Sequence, residues 1–396
     1  MTSAHAPLLA VSAVLALVAA PAAAADLIVS ANDAKFVRVE GQATYPENPP
    51  PDTLTVLDAS SFPPTVVATV DVQHTLVGPP QAVAITPDGT LAVVSAPDRY
   101  DDAAKKPIPE TFLQVVDLEA SPPTISARVE LGRHPQGLAI SPDGTLLLAT
   151  TTDGHVAVLA IDGKRVTLDE QIKLGDERLS GVSFTADGRA ALVALRDEQG
   201  LAVLSVDGGR VTATGERVTT GVAPYAIDVS SDGRWAVVGN AGLGGLAGDV
   251  GKLVGDADTV TLIDVARRPF RAVQHLTVPS IPEGVALSPD GRWIAVQAMD
   301  GSNLPRDNPG RHDRGRVVLF EIKEGQAVRV AEAPSGEAAQ GIVFTADGRY
   351  VLVQMNVERA IAVYAVRDGE LEDTGERIAL TGGPASIRSM PRATPR

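Results

Sequence analysis

The chain has no cysteine in 396 residues, and aromatic side chains make up only 4% of it. Without thiols there is no disulfide framework, no thiolate metal ligand, no cysteine nucleophile and no lipid-modified anchor. Charge is missing from the first 25 residues, which contain no Asp, Glu, Lys or Arg. The apolar run there, LLAVSAVLALVAA at 8–20, is too short to cross a bilayer. Followed by Pro21 and four alanines before Asp26, it reads as a secretory signal peptide spanning 1–25. A periplasmic or secreted protein is expected, with no membrane insertion after leader removal. No Ser stands in a Gly-x-Ser-x-Gly elbow. The histidines beyond the leader, His74, His134, His155, His275 and His312, show no ligand spacing, so no metal site is read from them. Excess acid, 49 Asp and Glu against 34 Lys and Arg for a net charge of −15, disfavours nucleic acid and anionic lipid as partners.

One phrase recurs six times, an apolar stretch closed by Asp-Gly and followed by a second apolar stretch. The copies are AVAITPDGTLAVVSA, GLAISPDGTLLLATT, GVSFTADGRAALVAL, AIDVSSDGRWAVVGN, GVALSPDGRWIAVQA and GIVFTADGRYVLVQM. Their aspartates, Asp88, Asp143, Asp187, Asp232, Asp290 and Asp347, step by 55, 44, 45, 58 and 57 residues, the range of a propeller blade with variable loops. Asp bonds back to nearby backbone and Gly accepts the left-handed conformation, so each copy predicts a hairpin. A third apolar segment follows every unit: 53–58, 112–117, 155–162, 200–207, 259–264, 316–322 and 360–366. Seven third strands against six hairpins locate the closure. GGPASIRSM near the C-terminus reads as an innermost strand and LIVSAN after the leader as a second strand. The sequence therefore predicts an all-β, seven-bladed propeller over 26–396, with the seventh blade split between 26–77 and 380–392.

The pattern of Pro, any residue, Gly or Ala, an aliphatic run, Ser-Pro-Asp-Gly and a third strand ending in Asp resembles the YVTN-type repeat propellers. These are grouped with the lactonase-like seven-bladed propellers of bacteria. The resemblance covers nearly the whole chain after the leader. It implies the fold, and it leaves activity open, because the shared residues are turn and core residues and the family spans enzymes, surface proteins and binding proteins.

Strand alternation puts the Asp-Gly turns on one face and the second-to-third connections on the other. Four of those connections are enlarged, at 32–52, 96–111, 240–258 and 300–315, and they would wall the mouth of the central channel. Each inner strand offers one residue to that mouth: Gln81, Gln136, Ser180, Tyr225, Glu283, Gln340 and Ala385. Converging amides, a phenol and one carboxylate suit a polar small molecule; the plainer reading is that they hold channel water. Second-strand ends add Asn32, Asn240, Asp300 and Asn356. With Glu283 these offer oxygens to Ca²⁺, although Asn after a strand is also an ordinary turn residue. The segment GDVGKLVGDAD at 248–258 is acidic but lacks the alternation of a calcium loop.

Two functional readings follow. The first is an exported propeller that binds a small polar ligand, or another exported protein, on its looped face without a catalytic centre. Loop residues Asp98, Arg99, Tyr100, Arg306, Arg311, Arg314 and Arg316 suit such a surface. The alternative follows from the resemblance. Lactonases of this fold are thought to use Glu, His and Arg at the channel mouth, and Glu283, His134 and Arg178 stand at loosely similar rim positions. That implies ring-opening hydrolysis by general acid and base chemistry.

Overall fold

The computed structural model describes residue 1 and residues 26–242 and 257–391. The leader from residue 2 onward and most of the acidic 248–258 segment lie outside the described residues. The described residues form seven four-stranded antiparallel sheets and two small two-stranded ones. Six sheets follow the chain from inner to outer strand. Blade 1 runs from Val83–Ile85 to Thr124–Glu130, blade 2 from Pro135–Ile140 to Arg165–Lys173, and blade 3 from Val182–Phe184 to Arg210–Val218. Blade 4 runs from Pro224–Val229 to Arg271–Thr277, blade 5 from Pro282–Leu287 to Gln326–Pro334, and blade 6 from Ile342–Phe344 to Glu370–Ala379.

The remaining sheet closes the ring. Its inner strand is Gly383–Ser389, paired with Leu27–Asp33, then Asp52–Asp58 and Thr65–Val72. Register puts Ser30 opposite Ile387 and Ile28 opposite Ser389. The two distant ends thus share one sheet, and neither is left as an unpaired edge.

Burial explains why the strands are apolar throughout. A strand sends successive side chains to opposite faces, and here each face is covered by the adjoining blade. Leu147 and Ala149 of blade 2 pack with Leu91, Val93 and Leu113 of blade 1, whereas Leu146 and Leu148 pack with Val182, Phe184 and Val193 of blade 3. Likewise Val29 of the closing blade faces blade 1 and its neighbour Ile28 faces blade 6. Burying one such side chain contributes roughly 1.5–3 kcal/mol.

The six Asp-Gly turns share one wiring. In each, the aspartate Oδ1 accepts the backbone N–H two residues on, at 3.0 Å from Thr90, Arg189, Arg234 and Arg349 and 3.1 Å from Thr145 and Arg292. A Ser or Thr two residues before the aspartate donates to the same oxygen, as Thr86 does to Asp88 at 2.6 Å. The following glycine is left-handed, with φ from 68° at Gly291 to 76° at Gly144.

These turns mark one face of the ring, and the starts of the inner strands mark the other. On that second face stand the connections between second and third strands, including small hairpins Val37–Val39 with Gln42–Thr44 and Asp98–Asp101 with Lys106–Pro109. No helix of the described residues is long and apolar enough to cross a membrane.

Gly233 tests the turn argument. A Cβ there would meet only the Ala186 methyl at 3.6 Å, so Gly233→Ala is penalised by its φ of 73° alone. Denaturant titration is expected to show a loss of about 1 kcal/mol. An unchanged midpoint would show that the turn does not require the left-handed residue.

Candidate functional site

The inner-strand starts converge as the spacing predicts, but most of their polar groups are spent on the ring itself. Gln81 reaches across the channel from blade 1 to blade 4, where its amide donates to the Ile227 carbonyl and accepts the Ile227 N–H at 2.9 Å. Ser180 donates to the Pro224 carbonyl at 2.9 Å, and Gln340 to the Ala338 carbonyl at 2.9 Å. The Tyr225 hydroxyl donates to the Gly78 carbonyl. Lower in the channel Arg388 of the closing blade spans to Asp228 of blade 4 at 3.5 Å. These crossings give the mouth a floor.

The strand-end residues are also engaged. Asn32 donates to Thr53 and Thr55 at 3.0 Å each, Asn240 to Thr261 at 2.9 Å, and Asn356 to the Pro384 carbonyl at 3.2 Å. Asp300 pairs with His312 at 3.0 Å and Arg316 at 3.2 Å. Among the described residues no three His, Asp or Glu side chains gather as a metal-ligand set. Of the oxygens offered for Ca²⁺, Asn32 Oδ1 accepts from Ser30 at 2.8 Å and Asp300 Oδ2 faces His312 and Arg316, whereas Asn240 Oδ1 is buried without a hydrogen-bond partner among the described residues.

Glu283 differs from all of these. It is buried at the start of the blade 5 inner strand, yet its carboxyl has neither an ion pair nor a hydrogen bond among the described residues. Burial pushes its pKa up to about 7, against the pull of Arg196, Arg178 and Arg38. Each of these three guanidiniums has a buried Nε without a hydrogen-bond partner among the described residues. Arg178 rises from the connection into blade 3 and donates to the Gln136 amide oxygen at 2.9 Å. Arg196 comes from the tight turn of blade 3 and lies over the Tyr225 ring at 5.2 Å. Burial raises the Tyr225 phenol, and the Glu283 charge raises it further. His134 holds the Glu110 carbonyl through Nδ1 at 2.9 Å. Burial lowers its pKa, and Asp98 and Arg178 both act on it.

Arg38 comes from the closing blade, and what holds it is a buried ionic node. The Lys35 ammonium sits 2.7 Å from Asp98, 2.8 Å from Asp52 and 3.3 Å from Asp33, all four side chains being nearly inaccessible. Asp33 also accepts the N–H groups of Lys35, Phe36 and Leu76, and Asp52 those of Ala34 and His74. Burial pushes Asp33 up to about 6 despite Lys35.

The sequence reading picked Glu283, Arg178 and His134, and the fold brings them to one mouth. It missed Arg196, whose short turn gave no sign of reaching inward. It also missed Arg38, for which the enlarged 32–52 loop was the available signal.

Fold and mouth together define the class: a seven-bladed β-propeller of lactonase-like shape, with an arginine-ringed carboxyl on its looped face. No protein-family model and no curated protein matches the sequence. Among solved structures the chain resembles the Pseudomonas aeruginosa periplasmic gluconolactonase, with 19% identity over 94% of this chain and 99% of that one at a TM-score of 0.63. A Bacteroides fragilis protein assigned as a 6-phosphogluconolactonase matches at 14% identity over 94% and 99%, TM-score 0.68. Kuenenia stuttgartiensis hydrazine synthase matches at 18% over 82% and 98%, TM-score 0.58. Identities this low establish a shared fold.

The environment of Glu283 has a thermodynamic signature. Its folded pKa of about 7 exceeds the usual 4.5, so the native state holds a proton that the unfolded chain releases. The resulting stability is complete below pH 4.5 and is lost as pH rises through 7. Glu283→Gln removes this dependence. The unfolding free energy of the variant relative to wild type is expected to improve by about 3 kcal/mol between pH 4.5 and pH 8. A constant difference across that range would show an ordinary, solvated carboxyl.

Proposed function

We propose that this protein is an exported hydrolase that opens a lactone bearing an acid group, at the mouth over Glu283. The observation that carries the reading is a buried carboxyl without a partner among the described residues, faced by three guanidiniums whose Nε donors are likewise unpartnered there. In a chain of net charge −15 such a concentration of arginine suits an anionic ligand. A carboxyl that titrates near neutrality is matched to general base and acid work. The lactonase names carried by two of the fold neighbours support the same chemistry.

In this reading the Glu283 carboxylate takes a proton from water as the water oxygen bonds to the lactone carbonyl carbon. Arg178 and Arg196 stabilise the resulting oxyanion. The ring C–O bond then breaks, and protonated Glu283 returns its proton to the departing alkoxide. The product is the open hydroxy acid, whose new carboxyl releases the second water proton to solvent and is left as a carboxylate among the arginines. His134, with Nδ1–H donating to Glu110, offers Nε2 as an acceptor for a substrate hydroxyl. The leader-like 1–25 segment and the periplasmic neighbour support placement in the periplasm. Capture of a sugar acid without turnover is the second reading, favoured by the absence of a second unpartnered carboxyl beside Glu283 among the described residues.

A panel of sugar-acid and carboxylated lactones, followed by proton release, tests the proposal. Wild type is expected to accelerate ring opening, with kcat/KM rising with pH to a plateau above about pH 7. Glu283→Gln is expected to lower kcat at least 100-fold, and Arg178→Gln, which removes an oxyanion donor, to lower kcat about 100-fold. Folded wild type without activity on any acid lactone, or a fully active Gln variant, would sink the enzyme reading.

A further inference from the structure

The hairpin Val37–Thr44 leaves the closing blade, yet its tip rests on blade 5, the blade that supplies Glu283. The Arg38 Nη1 donates to the Asn303 carbonyl at 3.2 Å, in the connection between the second and third strands of blade 5. Gly41, at φ 80°, fits against the same segment so closely that a Cβ would fall within 2.7 Å of the Pro305 Cα and closer still to the Leu304 carbonyl. At its root the hairpin is fixed twice, by the Lys35 node and by an aromatic ladder. In that ladder Phe36 meets Tyr45 edge-on at 5.9 Å, and Tyr45 stacks on Tyr100 of blade 1 at 4.5 Å. Phe36, Tyr45, Leu76 and Ala385 form a small apolar cluster beneath it. The segment is therefore a span, anchored at closing blade and blade 1 and seated on blade 5.

We infer that this hairpin is a strap whose seating at Gly41 holds Arg38 over Glu283 as the arginine that selects for the ligand's acid group, with Gly41 as its positioning residue. The inference rests on the mouth being the ligand site. Arg178 and Arg196 stand on blade 3 connections, whereas Arg38 reaches the mouth only if the tip is docked. Its guanidinium lies against Phe36 at 5.4 Å, keeps a buried Nε unpartnered among the described residues and faces the charges of Glu283 and, more weakly, Glu337. A side chain at position 41 would combine a left-handed backbone with a clash against main chain, which cannot rotate away.

The test is a double-mutant cycle of Arg38→Gln and Gly41→Val, read by calorimetric binding of 6-phosphogluconate and gluconate, by lactone KM and kcat, and by hydrogen exchange at 37–44. Each single variant is expected to weaken 6-phosphogluconate binding about tenfold, to raise KM by a similar factor for the phosphorylated lactone, and to leave kcat within twofold. Gluconate tests whether a lone carboxylate suffices as the selected group, since it should lose affinity as well only in that case. The double variant should bind no more weakly than either single one, because both remove the same contact. Multiplicative losses, or a Gly41→Val protein that binds as wild type does, would overturn the inference. Exchange at 37–44 separates the failures. If wild-type amides there exchange as fast as those of Gly41→Val, the strap is not seated. If they are protected but wild type neither turns over lactones nor binds either acid, the seat stands while Arg38's role falls with the functional reading.

Discussion

Each blade is apolar on both faces, and only a neighbour on each side keeps those faces from water. That requirement organises the molecule. Seven apolar clusters lie in the seven gaps between sheets, as with Trp293 and Leu319 of blade 5 against Phe344 and Tyr364 of blade 6. An open row of blades would leave two such faces exposed. Closure by Gly383–Ser389 against Leu27–Asp33 removes them, and it also fixes the position of the channel mouth.

Within that frame, electrostatics run against the global charge. The protein carries a net −15, yet the mouth gathers Arg38, Arg178 and Arg196 around one carboxyl. Several buried polar groups elsewhere on the rim bond to backbone carbonyls, as Gln81, Ser180, Tyr225 and Gln340 do, while Asn240 Oδ1 and Asn303 Oδ1 have no partner among the described residues. What sets this region apart is that three guanidiniums, each with a buried Nε unpartnered among the described residues, act on a single carboxyl. The Lys35 node is the counterpart on the closing blade. There, charge is fully buried and densely bonded, and its product is position: it fixes the root of the hairpin that carries Arg38.

How much of the site was legible depended on whether each residue lies on the repeat. Glu283, Gln136 and Tyr225 occupy the same place in successive copies, so the repeat located them. Arg178 and His134 stand in short connections next to such places, so they too were within reach. Arg196 lies on a turn of similar length whose side chain folds inward over Tyr225, and no periodicity encodes that choice. Gln81 shows the converse. Its place was read correctly, but its amide is bound to Ile227, a residue 146 positions away that no local pattern connects to it.

The sequence alone determined the repeat, the hairpin turns, the number of blades and the strand on which the ring closes. Those depend on local rules, a two-residue side-chain period and the left-handed tolerance of glycine, that act within a few positions. Tertiary structure decided which polar groups meet at the mouth and which are left without partners. That outcome depends on contacts between blades and across the channel, where burial and opposing charge act over distances in space that chain order does not record.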